Sequence, residues 1–242
     1  MKEKIEQGFI LAAGFGKRMR PLTDAIPKPM VCIKGKPMID HIINEYKGHG
    51  LKTIIINTHY LSDVLENHVQ QKHNDALKIS HEAVILDTGG GIKNALPLLD
   101  SNKAFFVASG DSYLEKNDQN SALTQLENFW NPEIMDILIL LQPVSSMTQT
   151  KGIGDYDLDL KGKATRSLNQ SGKYMFTSLR INKASIFDDE PRKSFSYLDL
   201  LDKAQTKGRL YGIIHQGMWH HISTPDDVKA VNTSVEKSRH AI

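Results

Sequence analysis

The residues best suited to phosphate chemistry lie near the start of the chain. There Phe9-Ile10-Leu11-Ala12-Ala13 runs into Gly14-Phe15-Gly16-Lys17-Arg18, and Pro27-Lys28-Pro29 follows. A short apolar run that stops at a glycine reads as a strand delivering its carboxyl end to a loop, the place where an open α/β sheet binds ligands. Gly14 and Gly16 are expected to take positive φ and bring backbone N–H groups close to an anion, while Lys17, Arg18 and Lys28 supply charge. Prolines on both sides of Lys28 fix its backbone, as a positioned cation requires.

Other apolar runs end in polar residues of the same kind. Asn57-Thr58-His59 follows one, Asp87-Thr88-Gly89-Gly90-Gly91 leads into a helical pattern, and Ser109-Gly110-Asp111 closes Ala104-Phe105-Phe106-Val107-Ala108. Asp111, at the mouth of a buried strand and opposite a basic glycine loop, is placed to hold a Mg²⁺ that bridges protein and nucleotide phosphates. The glycine triplet reads either as a flexible helix start or as a close approach to a base or sugar. His59, His215, His220 and His221 show no zinc spacing, and neighbouring histidines on a strand point to opposite faces. There is no Gly-x-Ser-x-Gly elbow and no Gly-x-x-x-x-Gly-Lys-Ser/Thr loop, and the bulky Met19 fills the third glycine position of a dinucleotide fingerprint.

The elements that would carry these groups alternate. Pro37–Tyr46 has helical spacing with Gly50 as its stop, Thr53–Asn57 is a strand covered on both faces, and Ser62 is expected to cap a helix through about Gln71. Leu77–Ser80 follows as a strand, Gly91–Leu99 as a helix and Ala104–Ala108 as a buried strand. The later part reads as a helix at Ser121–Trp130, a strand at Met135–Leu141, a long loop over Gln142–Asp155 and short strands at Tyr156–Asp159 and Tyr174–Ile181. A helix at Tyr197–Thr206, strands at Leu210–Ile214 and Met218–Ile222, and a helix from Pro225 to about Lys237 complete the chain. The pattern predicts an α/β protein with a mixed, mainly parallel sheet, and an antiparallel flap between Gly154 and Ile181.

At 242 residues, 40% hydrophobic and 24% charged, the chain is long enough for a sizeable core. No linker or repeat divides it, so residues 1–242 are expected to form a single domain. A formal net charge of +2 with scattered basic residues argues against nucleic acid as a partner. Apolar runs fall far short of the roughly 18 residues of a membrane span. The basic Met1–Lys4 start lacks a following signal-type apolar segment, so a cytoplasmic location is expected. The single cysteine, Cys32, reads as a buried structural thiol. Nothing in the sequence speaks for or against an oligomer.

Leu11 to Thr23 together with Pro27-Lys28-Pro29 resembles, without a gap, the signature of the sugar-phosphate nucleotidyltransferase family. The likeness continues through Asp87–Ile92, Gly110-Asp111, Gly208–Gly212, Gly217–Trp219 and Thr224-Pro225. Within the family the chain most resembles short uridylyltransferases that act on N-acetylmuramic acid 1-phosphate in cell-wall recycling. The resemblance implies a Rossmann-like, three-layer nucleotidyltransferase fold of GT-A type. It also implies attack of a sugar 1-phosphate on the α-phosphorus of a nucleoside triphosphate, UTP being favoured, with loss of pyrophosphate.

Carried over, Arg18 would hold the β- and γ-phosphates, Lys28 would meet the α-phosphate or sugar phosphate, and Asp111 would bind Mg²⁺. Leu11, Ala12, Ala13, Gly14, Phe15, Gly16 and Lys17 would line the nucleotide, with Glu82, Thr88 and Gly89 near base or ribose. Asn57, Tyr113, Thr177 and His221 are the expected substrate-side residues. His221 stands where many relatives have a second metal-binding aspartate, and Ser109 where asparagine is common. Rival readings are a guanylyl- or cytidylyltransferase acting on mannose 1-phosphate, another hexose phosphate or phosphocholine. A non-catalytic nucleotide-sugar-binding regulatory protein is the reading from another class.

Overall fold

The computed structural model describes residues 4–73, 77–115, 121–148 and 150–239. Met1 to Glu3 of the basic start and Gln149 of the long loop lie outside the described residues. The chain begins with β1 (Gln7–Leu11), a short hairpin of β2 (Cys32–Ile33) and β3 (Lys36–Pro37), and α1 (Met38–His49). It continues with β4 (Thr53–Thr58), α2 (Ser62–Lys72), β5 (Leu77–His81), α3 (Asp87–Ala95), β6 (Phe105–Ser109) and β7 (Ser112–Leu114). Then come α4 (Ala122–Phe129), β8 (Ile137–Pro143), β9 (Tyr156–Leu158), β10 (Ala164–Arg166) and β11 (Tyr174–Asn182). The last elements are α5 (Leu198–Thr206), β12 (Leu210–Ile214), β13 (Trp219–His221) and α6 (Pro225–Arg239).

The main sheet runs β5-β4-β1-β6-β11-β8-β12, with β9 and β10 attached at the start of β11. β1 pairs in parallel with both β4 and β6, β4 with β5, and β8 with β12. β11 runs antiparallel to both β6 and β8. The chain leaves β1 toward β4 and β5, then returns to lay β6 on the other side of β1. A crevice opens at the carboxyl end of a strand where successive connections part in this way. The glycine-rich loop begins there.

Both faces of the sheet are covered, which is why its central strands are almost wholly apolar. Ile10, Ile54, Ile56 and Phe106 pack with Ile39, Ile43 and Tyr46 of α1 and Leu123 and Leu126 of α4. Their strand neighbours Phe9, Ile55, Phe105 and Val107 face Ile92 of α3 and Leu200 and Leu201 of α5. The two-residue alternation of a strand thus divides each apolar run between two cores. A third cluster joins Met19, Val31, Ile33 and Met38 to Ile222 and Val231, tying the loop region to the last strand and helix.

Several expectations change in three dimensions. β11 is a full member of the main sheet, and only β9 and β10 form an antiparallel extension. Cys32 is exposed, because β2 alternates and Ile33 takes the inward position. Ser62 is the first helical residue of α2, and Leu61 occupies the cap at φ 49°. α3 begins at Asp87, so the glycine triplet lies within the helix and not before it. Gly14 is absent from the positive-φ residues, whereas Gly16 has φ 62°.

Just after β12, His215 donates its backbone N–H to the Leu141 carbonyl at 2.8 Å and buries its ring. Burial drives the imidazole from 6.5 down to about 4, with a Met218 backbone hydrogen bond opposing in part. The folded protein therefore keeps His215 neutral in a range where the unfolded chain takes up a proton. This contribution is intact above pH 6.5 and is lost progressively as pH falls toward about 4, by up to about 3 kcal/mol. Urea unfolding at pH 7 and pH 4.5 should show that His215→Leu loses less stability on acidification than the wild type. Equal losses in the two proteins would remove His215 from acid sensitivity.

Candidate active site

A cleft of about 690 Å³ opens at the carboxyl ends of β1, β4 and β6. Leu11 to Met19 form one wall, with Lys28 and Pro29 behind them, and Asn57, Glu82, Thr88, Ser109 and Asp111 complete the floor and far side. The sequence brings most of its expected nucleotide-side residues to this one place.

The loop is held by polar contacts that its own sequence could not provide. The Ala12 N–H donates to Asn57 Oδ1 at 2.7 Å, and Asn57 Nδ2 donates to Glu82 Oε1 at 2.7 Å. Glu82 Oε2 accepts from the Leu86 N–H at 2.9 Å. The Thr23 hydroxyl donates to the Gly16 carbonyl and the Tyr60 hydroxyl to the Thr23 carbonyl, each at 2.9 Å. Phe15 meets His59 edge-on with ring centroids 5.4 Å apart. Gly16 is required by geometry as well as by φ: a Cβ there would stand 2.9 Å from Lys28 Cβ. The loop can thus present backbone N–H groups without folding onto the ligand space.

Lys28 and Asp111 form an ion pair across the cleft, with side chains 12% and 30% exposed. Burial pushes the Asp111 carboxyl up, but the Lys28 ammonium, aided by a Ser109 hydrogen bond, more than offsets it and leaves the carboxyl below its usual range. Arg18 and Lys17 are exposed at the rim, and Lys17 Nζ lies 5.4 Å from the Phe15 ring centre. His221 stands close enough to interact electrostatically with Asp111, Lys28 and Arg18. Burial lowers its imidazole below the ordinary value, with the Asp111 charge opposing, so the ring is neutral near pH 7. Its neighbour His220 turns the other way, stacking on Tyr113 at 5.7 Å and meeting Glu115 at 3.0 Å.

The carboxylates of the cleft differ in what they can offer a divalent ion. Of the cleft carboxylates, Glu82 is committed to Asn57 and Leu86, and Asp87 accepts from the Thr88 N–H of its own helix. Asp111 faces the cation-rich loop and offers hard oxygen donors, which fits Mg²⁺ once phosphate oxygens and water complete the shell. His221 offers nitrogen, a poor Mg²⁺ donor. Asp155 has its carboxyl raised, chiefly by burial, and lies within electrostatic reach of His221; it sits in the long loop, where no apolar run precedes it to mark a site. Asp227, the other carboxylate near His221, caps α6 through the Ser223 and Thr224 backbone N–H groups.

Three expected residues take other places, and Asn57 lines the cleft with its amide already engaged. Thr177 is fully buried and donates to the Leu140 carbonyl at 2.9 Å, while Ser178, at φ 71°, reaches the cleft. The cause is a register shift in β11 between Phe176 and Arg180, which turns the threonine inward. Tyr113 lines a separate cavity of about 320 Å³ with His41, Lys34 and Lys36. Gly89 is sealed from the cleft: a Cβ there would stand 2.3 Å from the Phe195 ring, and its N–H donates to the Phe195 carbonyl. Asn57 spends its amide on the loop and Glu82 rather than on open space. Ile85, Ser178, Ser194 and Ser223 line the cleft and carried no signal in the sequence, because each arrives from an element whose position depends on the folded sheet.

Comparison with known proteins agrees with this geometry. Residues 7–150 match the family model described as Nucleotidyl transferase. The N-acetylmuramate alpha-1-phosphate uridylyltransferase of Caulobacter vibrioides is 32% identical over 93% of this chain and 95% of its own length. The enzyme of the same name from Neisseria meningitidis serogroup B is 29% identical over 90% of this chain and 93% of its own. The crystal structure of HddC from Yersinia pseudotuberculosis complexed with GMP-PN superposes with a TM-score of 0.77, covering 96% of this chain and all (100%) of that one at 25% identity. A basic loop at the switch point of an α/β sheet, matched over most of the chain, leads to one conclusion: the chain belongs to the nucleotidyl transferase family, as a sugar-1-phosphate nucleotidyltransferase.

Proposed function

We propose that this protein joins UTP and N-acetylmuramic acid 1-phosphate to give UDP-N-acetylmuramic acid and pyrophosphate, with Mg²⁺ as cofactor. One observation carries the reading: the Gly14–Arg18 loop and Lys28 face Asp111 across a single cleft. The chain-long likeness to two enzymes named for this reaction supports the choice of base and sugar. Residues 1–242 act in this reading as one domain in the cytoplasm, where nucleoside triphosphates are available.

The reaction forms a bond between a sugar-phosphate oxygen and the α-phosphorus and breaks the α–β phosphoanhydride. It asks the protein for positioning and charge neutralisation more than for covalent work. Arg18 at the rim receives the β- and γ-phosphates, and the loop N–H groups and Lys17 hold the triphosphate. Lys28 releases Asp111 and turns to the α-phosphate, where charge accumulates. Asp111, with phosphate oxygens, would hold the metal, which supplies Lewis-acid polarisation of the phosphates and neutralises the leaving pyrophosphate. Thr88 and Ile85 border the nucleoside end, and neutral His221 lies beside the reacting phosphates as a hydrogen-bonding group for the sugar phosphate. The complex of the Yersinia structure with GMP-PN favours a second reading, a guanylyltransferase on the same cleft.

Pyrophosphate release from each nucleoside triphosphate paired with each of several sugar 1-phosphates decides between them. The expected maximum is UTP with N-acetylmuramic acid 1-phosphate, dependent on Mg²⁺. A maximum with GTP and a hexose or heptose phosphate would establish the second reading. Tight UDP-sugar binding without turnover in any pairing would defeat both and favour a regulatory protein. Lys28→Ala and Asp111→Asn should each lower turnover about a hundredfold or more, as loss of a single charge-stabilising group does elsewhere. Near-normal kcat in either variant would take that residue out of the mechanism.

A further inference from the structure

A cluster on the far side of α1 brings together three side chains that the cleft does not use. Asp40, in the first turn of α1, has a fully buried carboxylate. His68 of α2 and His73, at the end of that helix, each place Nε2 2.8 Å from the same oxygen, Asp40 Oδ1. The three ligand atoms lie within 4.8 Å of one another. Lys72 Nζ holds the other oxygen, Oδ2, at 2.6 Å. None of these residues lines the 690 Å³ cleft.

We propose that Asp40, His68 and His73 form a metal site of their own, taking a divalent transition ion of the zinc type and stapling α1 to the end of α2. Two imidazole nitrogens and one carboxylate oxygen are a donor set for zinc, and the nitrogens exclude Mg²⁺ or Ca²⁺ as the preferred ion. Zinc bonds of about 2.0–2.2 Å set neighbouring ligand atoms of a tetrahedron about 3.3 Å apart. Each nitrogen–oxygen pair, now at 2.8 Å, therefore widens by about half an ångström, a side-chain adjustment. The ion occupies the space into which both Nε2 groups now converge. The imidazoles bind the ion through Nε2, which leaves Nδ1 to carry the ring proton. Oδ1 serves the ion while Oδ2 keeps Lys72, a partner of the outer shell that orients the carboxylate. The site is reachable from solvent, since His68 is 20% and Lys72 49% exposed, and water from that side completes the coordination.

The test uses the full chain stripped of metal and zinc chloride as the probe, titrated in competition with a chromophoric chelator. The wild type should take up one zinc more per chain than His68→Gln or Asp40→Asn, or bind it at least tenfold more tightly. Asp111→Asn should retain that zinc, which separates the cluster from the cleft. Cobalt(II) should give visible absorption of a tetrahedral nitrogen–oxygen site in the wild type and lose it in His68→Gln. His68 is partly exposed, so this variant is expected to fold even where the buried Asp40 and His73 variants do not. Zinc uptake and cobalt spectra unchanged in His68→Gln, or no zinc uptake by the wild type, would overturn the proposal and leave a hydrogen-bonded carboxylate only.

Discussion

The amide of Asn57 is the contact on which the active cleft depends. It stands at the end of β4, fully enclosed, and one side chain fastens the Ala12 N–H of the loop and the Glu82 carboxylate beyond β5. Its neighbour Gly91 has no side chain because a Cβ there would lie 2.5 Å from Glu82 Oε1 and 2.7 Å from Asn57 Nδ2. Three separate stretches of chain are thereby drawn to one point. Buried polar groups carry a penalty of about 1–3 kcal/mol when a partner is removed, so the network resists being opened piecemeal.

This arrangement explains why the glycine triplet belongs to a helix. Gly89 accommodates the Phe195 ring, Gly90 the Lys193 carbonyl, and Gly91 the Asn57–Glu82 pair. Glycine weakens a helix interior by about 1 kcal/mol relative to alanine, and here the loss is offset by close packing on three sides. The same helix start brings Thr88 to the cleft, where its hydroxyl accepts from the Tyr197 N–H at 2.9 Å and ties α3 to α5. The side of the cleft at Thr88 is thus built from packing between helices, and the side at Gly14–Arg18 from a loop at strand ends.

Charge divides along the same line. Lys28 and Asp111 neutralise each other before any ligand is present, which keeps two partly buried charges from standing unpaired. His221 is kept neutral by burial beside them, where a carboxylate would add negative charge.

The α/β alternation, the two-faced apolar strands and the basic glycine loop at a strand end, with Lys28 and Asp111 beside it, were legible in the sequence, because each is local: a period, a turn residue, a charge between prolines. The far wall of the cleft was not. Thr177 and Ser178 exchange places through a register shift, Gly89 meets a phenylalanine more than a hundred residues away, and Cys32 turns outward because its hairpin places Ile33 inward. The clustered side chains of Asp40, His68 and His73 show no motif at all, since they come from two helices and a helix end whose separation is set by the sheet beneath them. The sequence by itself determined which chemistry the chain is equipped for, through residue types at the ends of strands. Only the tertiary structure decided which side chains share a space, because packing across distant segments chooses the face each residue presents.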